Sequence, residues 1–182
     1  MGYLTSAERD ARLKRVREAM ATKDLDVILV YYDEFNIGNG WYLTGWCPQF
    51  ESGSVLVPRE GESMILGGPE SEPFAKIDSA ITETRNVPVF MVPEEEYPNA
   101  TITDFTALSA ELRSKLGRLE RVGLVGAGRM PADCHRQIIE GFKGAELLDF
   151  ARDYVKLRCQ NRRGRWSRFE RRSSWRMILM TR

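Results

Sequence analysis

From Asp26 to Tyr32 the chain is almost unbroken in apolar residues, Asp-Val-Ile-Leu-Val-Tyr-Tyr. So short a run without alternation predicts a strand covered on both faces. Upstream, Leu13, Val16 and Met20 recur at helical spacing with Arg and Lys on the other side. This predicts an amphipathic helix over Ser6 to Lys23, capped by Ser6. Downstream, Gly53–Pro58 and Ser63–Gly67 read as a hairpin joined by Arg59 to Glu62. Between strand and hairpin, Gly38, Gly40 and Gly45 surround Trp41-Tyr42-Leu43. That segment predicts a short helix or turn carrying an aromatic cluster to the end of the sheet. Trp46 to Ser52 reads as a loop.

The second half alternates strand and helix signals. A short helix is expected from Gly68 to about Ser79. Asn86 to Val92 reads as a strand kept to an edge by Pro88. Residues 93–100 form an acidic loop with Glu94, Glu95 and Glu96. Phe105, Leu108, Leu112 and Leu116 share one helical face, with Thr103 or Asp104 as cap and Gly117 as stop. Arg121–Val125 and Glu146–Phe150 read as strands, Pro131–Phe142 and Ala151–Cys159 as helices. A hairpin followed by such alternation argues an α/β domain with a mixed sheet.

Composition divides the chain in two. Its 182 residues, 42% hydrophobic, suit one globular domain with an appendage. Residues 161–182 hold eight Arg and one Glu, a net +7, which leaves the first 160 residues at −6 against +1 overall. The same segment has no Lys or Asp and carries two of the four Trp, without helical or strand period. We therefore divide the chain into a domain over 1–159 and an Arg-rich, aberrant or disordered tail over 160–182. So abrupt a break suggests a shifted reading frame or an appended sequence. Three separated cysteines, Cys47, Cys134 and Cys159, imply no disulfide framework, and a reducing cytoplasm is expected. No run reaches the roughly 20 apolar residues of a membrane span. The first ten residues lack the apolar stretch of a secretory signal. Met1-Gly2 with Ser6 fits a myristoylation pattern only superficially.

Asn36…Tyr42-Leu-Thr-Gly45 followed by a Val/Leu hairpin resembles the N-terminal domain of the creatinase/prolidase/aminopeptidase P family. The order of the first helix, the Asp26–Tyr32 strand, Arg121-Val-Gly-Leu-Val125 and Glu146-Leu-Leu-Asp149 extends the resemblance over residues 9–159. It implies a ribonuclease H-like topology and a non-catalytic accessory domain truncated from a metal-dependent hydrolase of C–N bonds, whose parent would cleave Xaa-Pro peptides or a related small amide. In that family two Asp, one His and two Glu hold a pair of divalent metals in a separate C-terminal domain. His135 is the single histidine here, so no cofactor is assigned to this chain. The resemblance also implies contact with a catalytic domain or second subunit, and a loop that closes the neighbouring active site. Here that loop is Trp46 to Ser52. Trp46 and Phe50 would wall a pocket and Glu51 would meet a substrate amine. No Arg stands between Gly45 and Pro58, which counts against creatine.

Other signals have plainer readings. Val122-Gly-Leu-Val-Gly-Ala-Gly-Arg-Met-Pro131 imitates a dinucleotide fingerprint with Asp149 as the ribose acid, but Pro131 stands where a packing glycine belongs. The tail, with Trp166, Phe169 and Trp175, offers charge and stacking to single-stranded nucleic acid. A stand-alone binding module using either feature is the alternative. Asp24, Asp26, Asp33 and Glu34 are expected to be solvated charges at opposite ends of one strand.

Overall fold

The computed structural model describes residues 4–48, 51–69, 71–91 and 100–159. At its centre is strand β1 (Val27–Tyr32), every residue of which is buried. It pairs antiparallel with β2 (Gly53–Pro58) and parallel with β5 (Arg121–Val125). Beyond β2 lie antiparallel β3 (Met64–Gly67) and then parallel β4 (Thr84–Asn86). Beyond β5 lies parallel β6 (Glu146–Asp149). The sheet order is β4-β3-β2-β1-β5-β6, a mixed sheet as expected.

Alternation along β1 divides the core. Val27, Leu29 and Tyr31 pack with Phe105, Leu108, Leu112 and Leu116 of α4 (Phe105–Leu116) and Cys134 and Ile138 of α5 (Ala132–Gly141). Ile28, Val30 and Tyr32 pack against the opposite layer. That layer comprises α1 (Ser6–Ala21), α2 (Ile37–Thr44), α3 (Ser71–Asp78) and α6 (Ala151–Cys159). Helices on both faces explain why the β1 sequence does not alternate.

Three local expectations change. Thr5, not Ser6, caps α1, its Oγ1 accepting from Glu8 N–H at 3.2 Å. The strand expected over Asn86–Val92 ends at Asn86. Pro88 has no N–H for a ladder and opens a 3₁₀ turn over Pro88–Phe90 instead. The edge position of β4 is as expected.

The third change concerns Asp26, which is fully buried rather than solvated. Its Oδ2 accepts the N–H groups of Glu120 and Arg121 at 2.8 and 3.1 Å, and its Oδ1 accepts Arg118 Nε at 2.9 Å. Arg59 also pairs with Oδ1 and donates to the Leu116 carbonyl at 2.6 Å. One carboxylate thus joins the start of β1, the hairpin turn and the entry to β5.

The basic tail, Glu94 to Glu96 and Phe50 lie outside the described residues. Among the described residues no helix is long and apolar enough to cross a membrane.

Candidate functional site: the aromatic elbow

The elbow begins where β1 ends. Asp33 Oδ1 accepts the N–H groups of Phe35 and Asn36 at 3.0 and 2.7 Å, turning the chain into α2. The helix stops at Gly45, in the left-handed conformation with φ 64°. Thr44 fixes the exit from the helix: its hydroxyl donates to the Gly40 carbonyl at 2.9 Å and accepts Trp46 N–H at 3.0 Å.

Tyr32 is the pivot beneath this turn. A Cβ at residue 40 would lie 2.7 Å from the Tyr32 ring, and one at residue 53 would lie 2.5 Å from its hydroxyl. Glycine at both positions lets α2 and the start of β2 close on the ring. Burial, with Cys47 and Glu51 nearby, pushes the Tyr32 hydroxyl well above its ordinary pKa. Burial and Asp33 push the Cys47 thiol up to about 12, and burial followed by Asp33 does the same to the Tyr31 hydroxyl. These groups stay protonated at neutral pH, so no thiolate or phenolate nucleophile arises here.

Two of the three expected site residues lie within the described residues. Trp46 is half-buried and packs on the core layer that includes Tyr42, Leu43 and Tyr32. Glu51 is 8% exposed, with Oε1 3.0 Å from where a Gly68 Cβ would stand, so its carboxylate faces the protein. Phe50 lies outside the described residues. Among the described residues of the elbow, Phe35 (72% exposed), Ile37 (44%) and Trp41 (39%) are the apolar groups that face solvent. The Arg129 guanidinium lies 5.4 Å over the Phe35 ring.

Sequence reasoning misses Asn39, buried in α2 and bonded to two other elements. Its spacing three residues before Tyr42-Leu-Thr-Gly45 is the signal that could find it. Asp149, the ribose acid of the dinucleotide reading, accepts Ala151 N–H at 2.8 Å and opens α6. His135 is half-buried on α5. A cavity of about 260 Å³ is lined by Arg9, Leu13, Arg17, Ser63 and Ile81 among others. It adjoins the hairpin turn, at the other end of β1 from the elbow.

Among the described residues, no three or more His, Cys, Asp or Glu groups are placed to hold a metal ion. Asp26 already has two guanidinium and two N–H partners. The described residues therefore do not fit the family's metal pair.

Residues 12–160 match the model of the Creatinase/Prolidase N-terminal domain. No curated protein matches the chain. Solved structures show the same fold. A proline dipeptidase from Streptococcus pneumoniae superposes with a TM-score of 0.58 at 14% identity, covering 82% of this chain and 98% of that one. The N-terminal domain of the cytoplasmic peptidase PepQ from Mycobacterium tuberculosis H37Rv gives 0.57 at 16% identity, over 81% and 98%. The prolidase from Pyrococcus horikoshii OT3 gives 0.55 at 14% identity, over 80% of this chain and only 33% of that one. The Gly126–Pro131 turn and the basic tail gain no support as binding sites from these likenesses. With a mixed six-stranded sheet, helices on both faces and a family match over most of its length, the chain belongs to the Creatinase/Prolidase N-terminal domain family.

Proposed function

We propose that this chain is a non-catalytic accessory domain of a cytoplasmic Xaa-Pro peptidase-type hydrolase. It works with a catalytic domain not contained in residues 1–159, and the metal pair and the bond cleavage belong there. The elbow is its working face. The loop Trp46–Ser52 closes a substrate pocket or subunit contact, with Trp46 and Phe50 as walls; Glu51, buried with its carboxylate toward the protein, is left out of the substrate contact. Phe35, Ile37 and Trp41 widen the apolar face, and a face of this kind is covered by a partner or second copy.

The observation that carries this reading is the exposure of those three side chains, in a chain whose matched region is an N-terminal domain. The match to a third of the longer Pyrococcus chain supports a separate catalytic part. Sedimentation velocity at tens of micromolar tests the face. At high salt, where charge pairing is screened, the parent chain should associate, and a Phe35→Ser/Trp41→Ser variant should be monomeric. A parent chain that is monomeric at low and high salt would overturn the reading.

A further inference from the structure

Asn39 is 5% exposed and stands where three elements meet. Its Nδ2 donates to the Tyr31 carbonyl at the end of β1 at 3.0 Å. Its Oδ1 accepts Arg158 Nη1 from the last turn of α6 at 2.5 Å. Its own carbonyl accepts the Tyr154 hydroxyl, also from α6, at 2.8 Å. The two ends of one amide thus hold different elements, and neither bond survives reversal of the amide.

The Arg158 guanidinium lies over Gly38, where any Cβ would collide with it. Ile37 and Trp41 flank Gly38 along α2 and are both exposed. The end of α6 therefore borders the apolar face of the elbow. From Cys159 the chain continues into residue 160. Helix α6 thus ends beside the exposed Ile37 and Trp41.

We propose that Asn39 straps α6 to α2, coupling the exposed face of the elbow to the direction in which the chain leaves the domain. Loosening the α6 arm loosens α2, and a partner seated on Ile37 and Trp41 tightens the dock of α6. The reciprocity follows from linkage between two sites on one element. Only the partner's effect rests on the elbow being the working face; the coupling of α6 to α2 stands apart from it.

Hydrogen exchange on the full chain tests the strap. Arg158→Met removes the side-chain bond from α6, leaves the Tyr154 hydroxyl on the Asn39 carbonyl, and keeps the aliphatic stem of a half-buried side chain. A bond to a charged group is worth about 1.5–3 kcal/mol, or about tenfold or more in local opening. Exchange should therefore quicken about tenfold in α6 over residues 155–159 and in α2 over residues 41–45 together, while β5 and α4 are unchanged. Asn39→Asp keeps an acceptor for Arg158 but sets a second oxygen against the Tyr31 carbonyl. It should loosen α2 and, because α6 docks on Asn39 of α2, quicken exchange in α6 as well. Faster exchange in α6 alone, with α2 at the parent rate in Arg158→Met, would overturn the proposal. If Asn39→Asp does not fold, Arg158→Met decides the matter by itself. A monomeric parent chain would overturn the interface reading without altering this exchange result.

Discussion

Arg118 Nε lies 2.9 Å from Asp26 Oδ1 across 92 positions of sequence. Burial alone would raise the Asp26 pKa. The Glu120 and Arg121 N–H groups and the charges of Arg118 and Arg59 outweigh it, and the carboxyl titrates below its ordinary value. The unfolded carboxyl titrates near pH 3.9. The stabilisation is present above that value and is lost as pH falls through it toward the lower folded pKa. Asp26→Ala should cost about 1–3 kcal/mol at pH 7, because it leaves the Glu120 and Arg121 N–H groups without their acceptor. Urea midpoints of parent and variant should converge below about pH 4. A constant gap from pH 7 to pH 3 would contradict this account.

Tyr32 and Gly40 give a second prediction. Alanine at 40 would gain up to about 1 kcal/mol of helix propensity. It would also bring a Cβ within 2.7 Å of a fully buried ring. Overpacking of this kind costs about 1–3 kcal/mol. Gly40→Ala should thus be destabilising by thermal unfolding, and Tyr32→Leu should recover much of the loss. Additive effects in the double-mutant cycle would show that ring and glycine do not interact.

The elbow is legible in the sequence only in part. The apolar run of β1 and the Phe105–Leu116 stripe are local patterns, and each appears where its period places it. Pro88 reads as compatible with a strand because an edge tolerates proline, yet the missing donor ends the strand two residues earlier. Asp26 reads as solvated because its partners lie at residues 59, 118, 120 and 121, and nothing nearby announces them. Glu51 turns inward for a similar reason: it lies against Gly68, beyond the hairpin.

Salt should separate two sources of self-association. Residues 161–182 carry +7 and the preceding residues −6, so charge pairing between chains should weaken at high salt. Burial of Phe35 and Trp41 should not. Deleting residues 161–182 should remove the salt-sensitive part of the sedimentation change, and Trp41→Ser the salt-insensitive part. Trp46→Ser, at a half-buried position, should lower stability more than association. Equal loss at all salt concentrations in the tail-deleted chain would contradict this division.

Turnover of an Xaa-Pro dipeptide by the purified chain, with manganese or cobalt added, is the most direct test of the accessory role. A domain without the metal ligands should release no proline above background at any stage of purification. Activity that rises with purity, and falls when the metal is chelated, would contradict it.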